Sequence, residues 1–224
     1  MYRALLFDLD GTLAETDSLH LPTWVDTLEP YGVEVDEQIY RDRISGRSTG
    51  EIVRELLPDL TAEENRLVGD AKEASFRERA AELEPLPGLI EFVERGRKSG
   101  MKIALVTNAP EENVEAILLA LELRDSFDCV VLADEVEAVK PHPAPYRAAL
   151  QKTDVPADGA LAFEDSVSGI SSSVAAGIPT VGITSSQVPE KLLQAGAFMT
   201  ADDFTDPRLR NATHQKASAG PQKE

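Results

Sequence analysis

The segment Leu5-Leu6-Phe7-Asp8-Leu9-Asp10-Gly11-Thr12-Leu13 constrains the fold more than any other part of this 224-residue chain. A short apolar run stopped by acids and a glycine has the length of a core strand in a parallel sheet. There both faces are covered, and the alternation of polar and apolar residues is lost. In open sheets with helices on both faces, chemistry gathers just past the carboxyl ends of the strands. Asp8 and Asp10 stand at that place, and Gly11 frees the backbone to turn sharply away. A strand end with merely solvated acids would leave the complete D-x-D-G-T-L string without a reason.

The first strand is read at 3–8, and further runs of strand length lie at 102–107, 129–133, 160–164 and 180–183. Between them the spacing predicts helices over 88–99, over 111–122, around Tyr146, Ala149 and Leu150, and over 167–176 with Gly177 as the stop. Strands alternating with helices predict a doubly wound, Rossmann-like α/β core with a five-stranded parallel sheet. The first strand is expected at its centre, between the strands that end at Thr107 and Glu164.

Residues 14–83 break this rhythm. Three amphipathic stripes run through them: Leu21, Trp24, Val25 and Leu28; Ile52, Val53, Leu56 and Leu57; and Leu67, Val68, Ala71 and Ala74, behind a capping box at Thr61-Ala62-Glu63-Glu64. The reading is a helical insertion at 14–83, after the first strand of a core formed by 1–13 and 84–205. Residues 206–224, with almost no apolar side chains, read as a disordered tail.

Charge narrows the function. The net charge is −18, half of it from the insertion, where 17 acids face 8 lysines and arginines (8 − 17 = −9). Binding to nucleic acid or to an anionic membrane is disfavoured by that field. A phosphorylated ligand would need a local metal or a few cations to be held against it. No apolar stretch has the length of a membrane span, and Asp8 and Asp10 interrupt any leader-like run, so a cytoplasmic location is expected. The lone Cys129 reads as a core residue of a strand and excludes an internal disulfide framework. Oligomeric state is not readable, and a monomer is compatible with the chain.

The D-x-D-G-T string resembles the first motif of the haloacid dehalogenase superfamily. The later segments keep its order: Thr107-Asn108 after a strand, Lys140 before Pro141-His142-Pro143, and Glu164-Asp165-Ser166 after another strand. The resemblance implies a phosphoryl-transfer enzyme in which Asp8 is the nucleophile and Asp10 the acid and base. Thr107 and Asn108 would meet phosphate oxygens, and Lys140 would neutralise phosphate beside Asp8. It also implies Mg²⁺ held by the Asp8 carboxylate, the Asp10 backbone carbonyl and Asp165, with Glu164 either a direct ligand or an outer neighbour. A carboxylate suits the nucleophilic role because it is ionised near neutral pH without a base.

Within the superfamily, Glu164-Asp165-Ser166-Val167-Ser168-Gly169-Ile170 is similar to the β-phosphoglucomutase-like subgroup, where a further acid is absent at the position of Ser168. The insertion then corresponds to a helical cap. His20 is placed to contact substrate or to orient Asp10, and Arg47, in the loop Gly46-Arg47-Ser48-Thr49, to meet a second phosphate or a sugar hydroxyl. The mutases of this subgroup carry a lysine and an arginine where Ser45 and Thr49 stand here. That difference favours hydrolysis of a small phosphorylated metabolite, a sugar phosphate first. A phosphosugar mutase and a phosphoglycolate phosphatase are the alternatives, with a receiver-like phospho-aspartate signalling module more distant.

Overall fold

The computed structural model describes residues 1–212. Strand β1 (Ala4–Phe7) is buried at every position. Its alternation sends Leu5 and Phe7 into one apolar layer and Ala4 and Leu6 into another, which is why the run is uniformly apolar.

Between β1 and the next strand come α1 (Asp17–Leu28), the single turn α2 (Glu37–Ile39), α3 (Thr49–Leu56), α4 (Ala62–Arg79) and α5 (Leu89–Lys98). There follow β2 (Lys102–Val106), α6 (Glu111–Ala120), β3 (Cys129–Val131), α7 (Ala144–Thr153), β4 (Ala160–Glu164), α8 (Val167–Ala175), β5 (Thr180–Ile183), α9 (Pro189–Ala195), β6 (Met199–Ala201) and α10 (Pro207–Ala212). The sheet is parallel throughout with the order β3-β2-β1-β4-β5-β6. Leu5 lies opposite Ile103 on one side and Leu161 on the other, so β1 is central as the sequence predicts.

Six strands replace the expected five. The extra one, β6, has only three residues, two of them half-buried, and owes its existence to pairing with β5 rather than to an apolar run. Helices cover both faces. Leu89, Phe92 and Val93 of α5 and Val114, Ile117 and Leu118 of α6 pack in the Leu5–Phe7 layer, while Tyr146 and Ala149 of α7 pack with Ala4 and Leu6. Phe7 stacks on Phe163 at 4.9 Å, and both rings meet Phe92 and Phe204.

The expected tail needs correction at its start. Residues 207–212 form α10, and Leu209 is fully buried in the Leu5–Phe7 layer. One apolar residue in a polar stretch gives no periodic signal, so only packing reveals that helix. Residues 213–224 of the expected tail lie outside the described residues.

The helices between β1 and β2 have an apolar cluster of their own, built from Trp24, Leu28, Tyr40, Ile44, Ile52, Val53, Leu57 and Val68. Leu19, Phe76, Ala80 and Leu83 join the core layer instead, tying the ends of α1 and α4 to the sheet domain. The two connections run side by side, with the Leu86 amide donating to the Leu13 carbonyl at 2.8 Å. The stripe expected on α4 is displaced. Leu67 is exposed, and the buried row is Asn65, Val68, Lys72 and Phe76, because a lysine inside that row hides it from an apolar count. The Thr61–Glu64 capping box forms as expected.

Candidate active site

Parallel strands deliver their last residues to one end of the sheet. Asp8 follows β1, Thr107 follows β2, and Glu164-Asp165 close β4, so four of the expected side chains come from three adjacent strands. All four are buried. The carboxylates of Asp8, Glu164 and Asp165 lie within 4.8 Å of one another.

Glycines make room for this crowding. Gly11 adopts φ +71°, and a Cβ there would strike the Asp165 carboxyl; a Cβ at Gly169 would overlap the Glu164 carboxylate. Any other residue at either place would push an acid out of the cluster.

Lys140 answers part of the charge. Its Nζ donates to Asp8 Oδ1 at 2.5 Å, to Glu164 Oε1 at 2.6 Å and to the Val106 carbonyl at 2.7 Å, which uses all three of its donors. Tyr146 Oη donates to the same Glu164 oxygen at 2.5 Å, and the Lys140 ammonium lies 5.3 Å from the Tyr146 ring centre. Ser186 Oγ donates to Asp165.

One ammonium among three carboxylates leaves a surplus of buried negative charge. Burial, then the Asp8 and Glu164 charges, push Asp165 well above the usual carboxylate range. Asp8 is pushed up to about 7, by burial first and against the pull of Lys140. Burial alone would lower Lys140, but Asp8 and Glu164 hold it above its ordinary value. An oxygen-only donor set with surplus negative charge fits a hard divalent cation. Glu164 has Lys140 and Tyr146 on one oxygen, which leaves its other oxygen, 3.4 Å from Ser166 Oγ, available to a cation.

Asp10 stands apart from this cluster. Its half-exposed carboxylate accepts from Thr16 Oγ1 at 2.8 Å and has His20 Nε2 at 3.7 Å. Burial works to raise its pKa, but His20, Thr16 and Lys72 outweigh it and hold the carboxyl below its usual value. His20 is therefore beside the expected acid and base. Its ring stacks on Phe76 at 4.1 Å, and its Nδ1 is 3.0 Å from Lys72 Nζ.

Thr107 and Asn108 form the turn after β2. Thr107 Oγ1 accepts from the Ala109 amide at 2.9 Å, and Asn108 exchanges hydrogen bonds with the backbone of Lys140 at 3.2 and 3.4 Å, tying that turn to the lysine. Arg47 is not brought to this group. Its guanidinium pairs with Glu55 at 2.6 Å and donates to the Arg43 carbonyl at 2.9 Å, at the exposed end of the helical segment.

Lys72, Tyr146 and Ser186 escaped sequence reasoning. A lysine spaced with Val68 and Phe76 on one helix face is the signal that could have exposed Lys72. A tyrosine six residues past Lys140 on an otherwise apolar face could have exposed Tyr146. Ser185-Ser186, just past β5, follows the same strand-end logic as Asp8.

Among the described residues, no helix is long and apolar enough to cross a membrane. The family model of haloacid dehalogenase-like hydrolases matches residues 5–183. The chain is 33% identical over 201 residues to a phosphorylated carbohydrates phosphatase of Thermotoga maritima, covering 87% of this chain and 91% of that protein. It is 32% identical over 186 residues to the fructose-1-phosphate phosphatase YqaB of Escherichia coli, covering 81% and 96%. A crystal structure of a CbbY mutant from Rhodobacter sphaeroides in complex with xylulose-(1,5)bisphosphate superposes with a TM-score of 0.80 at 29% identity, covering 92% of this chain and 96% of that one.

Proposed function

The chain belongs to the haloacid dehalogenase-like hydrolases, and from that premise we propose that it is a Mg²⁺-dependent phosphatase of a small phosphorylated metabolite, a sugar phosphate first. The observation that carries this reading is the Lys140 ammonium shared by Asp8 and Glu164 inside a buried carboxylate surplus. Such a site is built to receive a cation and a phosphoryl group together.

The steps follow from the residues. Asp8 must first give up the proton that burial favours, and Asp10 must carry one against the pull of His20, Thr16 and Lys72. An Asp8 oxygen then attacks phosphorus, the bond from phosphorus to the sugar oxygen breaks, and Asp10 gives that oxygen its proton. The product is an acyl phosphate on Asp8. Asp10, now a carboxylate, takes a proton from water as the water oxygen attacks phosphorus, and the phosphorus–Asp8 bond breaks to regenerate the free carboxylate. Lys140 holds Asp8 in position and balances charge on the transferring group. The Thr107 hydroxyl and the Asn108 amide face phosphate oxygens, while the Ala109 amide orients the hydroxyl. Asp8, Asp165 and the Asp10 carbonyl would hold Mg²⁺, which would supply the positive charge that two approaching anions need.

Residues 14–83 act as a cap over this centre, turning on the paired connections near 13–14 and 83–86 and excluding bulk water. His20 orients Asp10. Ser45 and Thr49 occupy positions where a mutase would need cations to retain and reorient a bisphosphate, so hydrolysis is favoured over isomerisation. Sugar phosphates are the first substrates to try because the relatives named above act on or bind them.

The test is phosphate release from a panel of sugar phosphates, phosphoglycolate and nucleotides, with Mg²⁺ and with chelator. Release only with the metal, fastest for a sugar phosphate, is expected. Equal turnover with chelator, or interconversion of sugar phosphates without release, would overturn the reading.

A further inference from the structure

Glu73 has no part in the chemistry above, yet it is a mostly buried carboxylate, 14% exposed, at the seam between α4 and α6. The Thr49 hydroxyl donates to its Oε1, and Lys72 Nζ approaches the same oxygen at 3.2 Å. Asn113 Nδ2 donates to its Oε2 at 2.7 Å. Asn113 belongs to α6, on the sheet side, and is itself buried. Its amide oxygen accepts from Arg77 Nη1 at 3.2 Å. One amide is therefore clamped between a carboxylate and a guanidinium one turn apart on α4, and those two charges fix which way it faces.

Glu73 thus touches three parts of the molecule at once. Thr49 opens α3 at the end of the Gly46–Thr49 loop. Lys72 continues to His20 and so to Asp10. Asn113 lies in the first turn of the helix that follows the Thr107-Asn108 turn. Of Glu73's own three contacts, the one to Asn113 crosses from the helical segment to the sheet domain, and Arg77 crosses to the same amide.

Resting on the phosphatase reading, we propose that Glu73 is a positioning residue, the latch by which docking of α4 on Asn113 sets the Lys72–His20–Asp10 row and the Thr49 loop together. Parting α4 from α6 would hand both groups to water. Hydrogen bonds exchanged for water change the free energy little, so the latch is reversible. Losing the Asn113 contact would also release a carboxylate able to swing away from Thr49 and draw Lys72 with it.

The test uses Glu73→Gln, Asn113→Asp and the two combined. Glu73→Gln leaves one oxygen to share between Asn113 on one side and Thr49 and Lys72 on the other, and removes the charge that holds Lys72. Asn113→Asp sets two carboxylates face to face. In the double variant the amide introduced at position 73 donates to the carboxylate introduced at position 113, which keeps Arg77, so the seam is rebuilt with its polarity reversed. Each single variant should lower kcat/KM for the sugar phosphate about tenfold, the scale of one hydrogen bond to a charged group. The double should recover at least about threefold over the worse single, the signature of coupled neighbours. Hydrogen exchange of the metal-free proteins gives a readout independent of activity. Amides of 13–16 and 83–86 should exchange faster in the singles and return towards wild type in the double. Singles that match wild type in exchange and kinetics, or a folded double as impaired as the worse single in both, would overturn the latch. A wild-type protein that releases no phosphate would overturn the phosphatase reading alone, and the exchange result would still decide the latch.

Discussion

Two buried clusters in this molecule pair acids with a lysine, and they differ in balance. At the sheet end, Asp8, Glu164 and Asp165 share Lys140, and both aspartates are pushed upward. At the α4 seam, Glu73 is, among the described residues, the one carboxylate hydrogen-bonded by Lys72, Thr49 and Asn113. Burial works to raise it, but these partners overcome burial and hold it below its usual value. Surplus carboxylate destabilises the cluster until something cationic arrives, so imbalance marks a place built to be filled. A satisfied acid has nothing further to bind, and its work is to hold other groups in place.

The largest effect that tests this contrast is at Asp8, the proposed nucleophile. Asp8→Asn keeps the side-chain shape but removes the attacking charge, so phosphate release should fall below detection while the circular dichroism spectrum stays native. An active Asp8→Asn enzyme would place the chemistry elsewhere. Asp10→Asn should lower kcat by roughly 10²–10⁴, the range of general acid–base catalysis, because both proton transfers pass through it.

Next in size is stability. Lys140→Met removes the cation from the surplus cluster and should cost about 3–5 kcal/mol in urea unfolding of the metal-free protein, as for one partner of a buried pair. Mg²⁺ should return a larger share of that loss than it adds to wild type. Lys72→Met should cost less, since Thr49 and Asn113 still donate to Glu73, and Mg²⁺ should return none of it. Equal behaviour of the two variants would erase the distinction between the clusters.

A smaller effect is expected from pH. An acid whose folded pKa is raised keeps its proton in the native state after the unfolded chain has lost it. Its stabilisation is full below the unfolded value of about 3.9 and fades as pH rises through the folded one. For Asp8 that fade ends near pH 7, and Asp165 extends it in the same direction. The chelated protein should therefore melt lower at pH 8 than at pH 5.5. Mg²⁺ should raise Tm more at pH 8, because its ligands must be deprotonated. Glu73 works with the opposite sign: its lowered pKa stabilises above the ordinary glutamate range and is lost only in acid. A chelated protein more stable at pH 8 than at pH 5.5 would show that the surplus is already neutralised.

The smallest effect is expected at Arg47, which pairs with Glu55 rather than with the site. If it turns inward to meet substrate, Arg47→Ala should raise KM for the sugar phosphate a few-fold and leave a generic aryl phosphate unchanged. Equal losses on both substrates would make Arg47 a surface residue, and selectivity would have to come from other cap positions.

Much of the catalytic end was legible because strand ends are local features. An apolar run followed at once by Asp8, Thr107 or Glu164-Asp165 announces both the strand and the group it carries. The helical segment was less legible. The α4 stripe was read through Leu67, whereas the buried face runs through Lys72, whose charge is answered by His20 and Glu73 from outside its own apolar pattern. The β6 strand and α10 were hidden for a related reason, since Met199 and Leu209 find their apolar neighbours only when the rest of the fold lies against them.

The sequence by itself determined the β1 strand, its central place, the acids, hydroxyl and lysine of the catalytic end, and the helical character of 14–83. These depend on short-range pattern: apolar length, turn residues and the right-handed order of parallel strands. Tertiary structure alone decided that Glu164 shares Lys140 with Asp8, that His20 lies beside Asp10, that Asn113 meets Glu73, and that Arg47 faces Glu55. Each of these is a pairing of charges or amides across 8 to 132 residues of chain. Sequence spacing carries no distance between such groups. Only packing brings them within hydrogen-bond reach, and where the pair is buried, as at Lys140 and Glu73, burial strengthens the interaction.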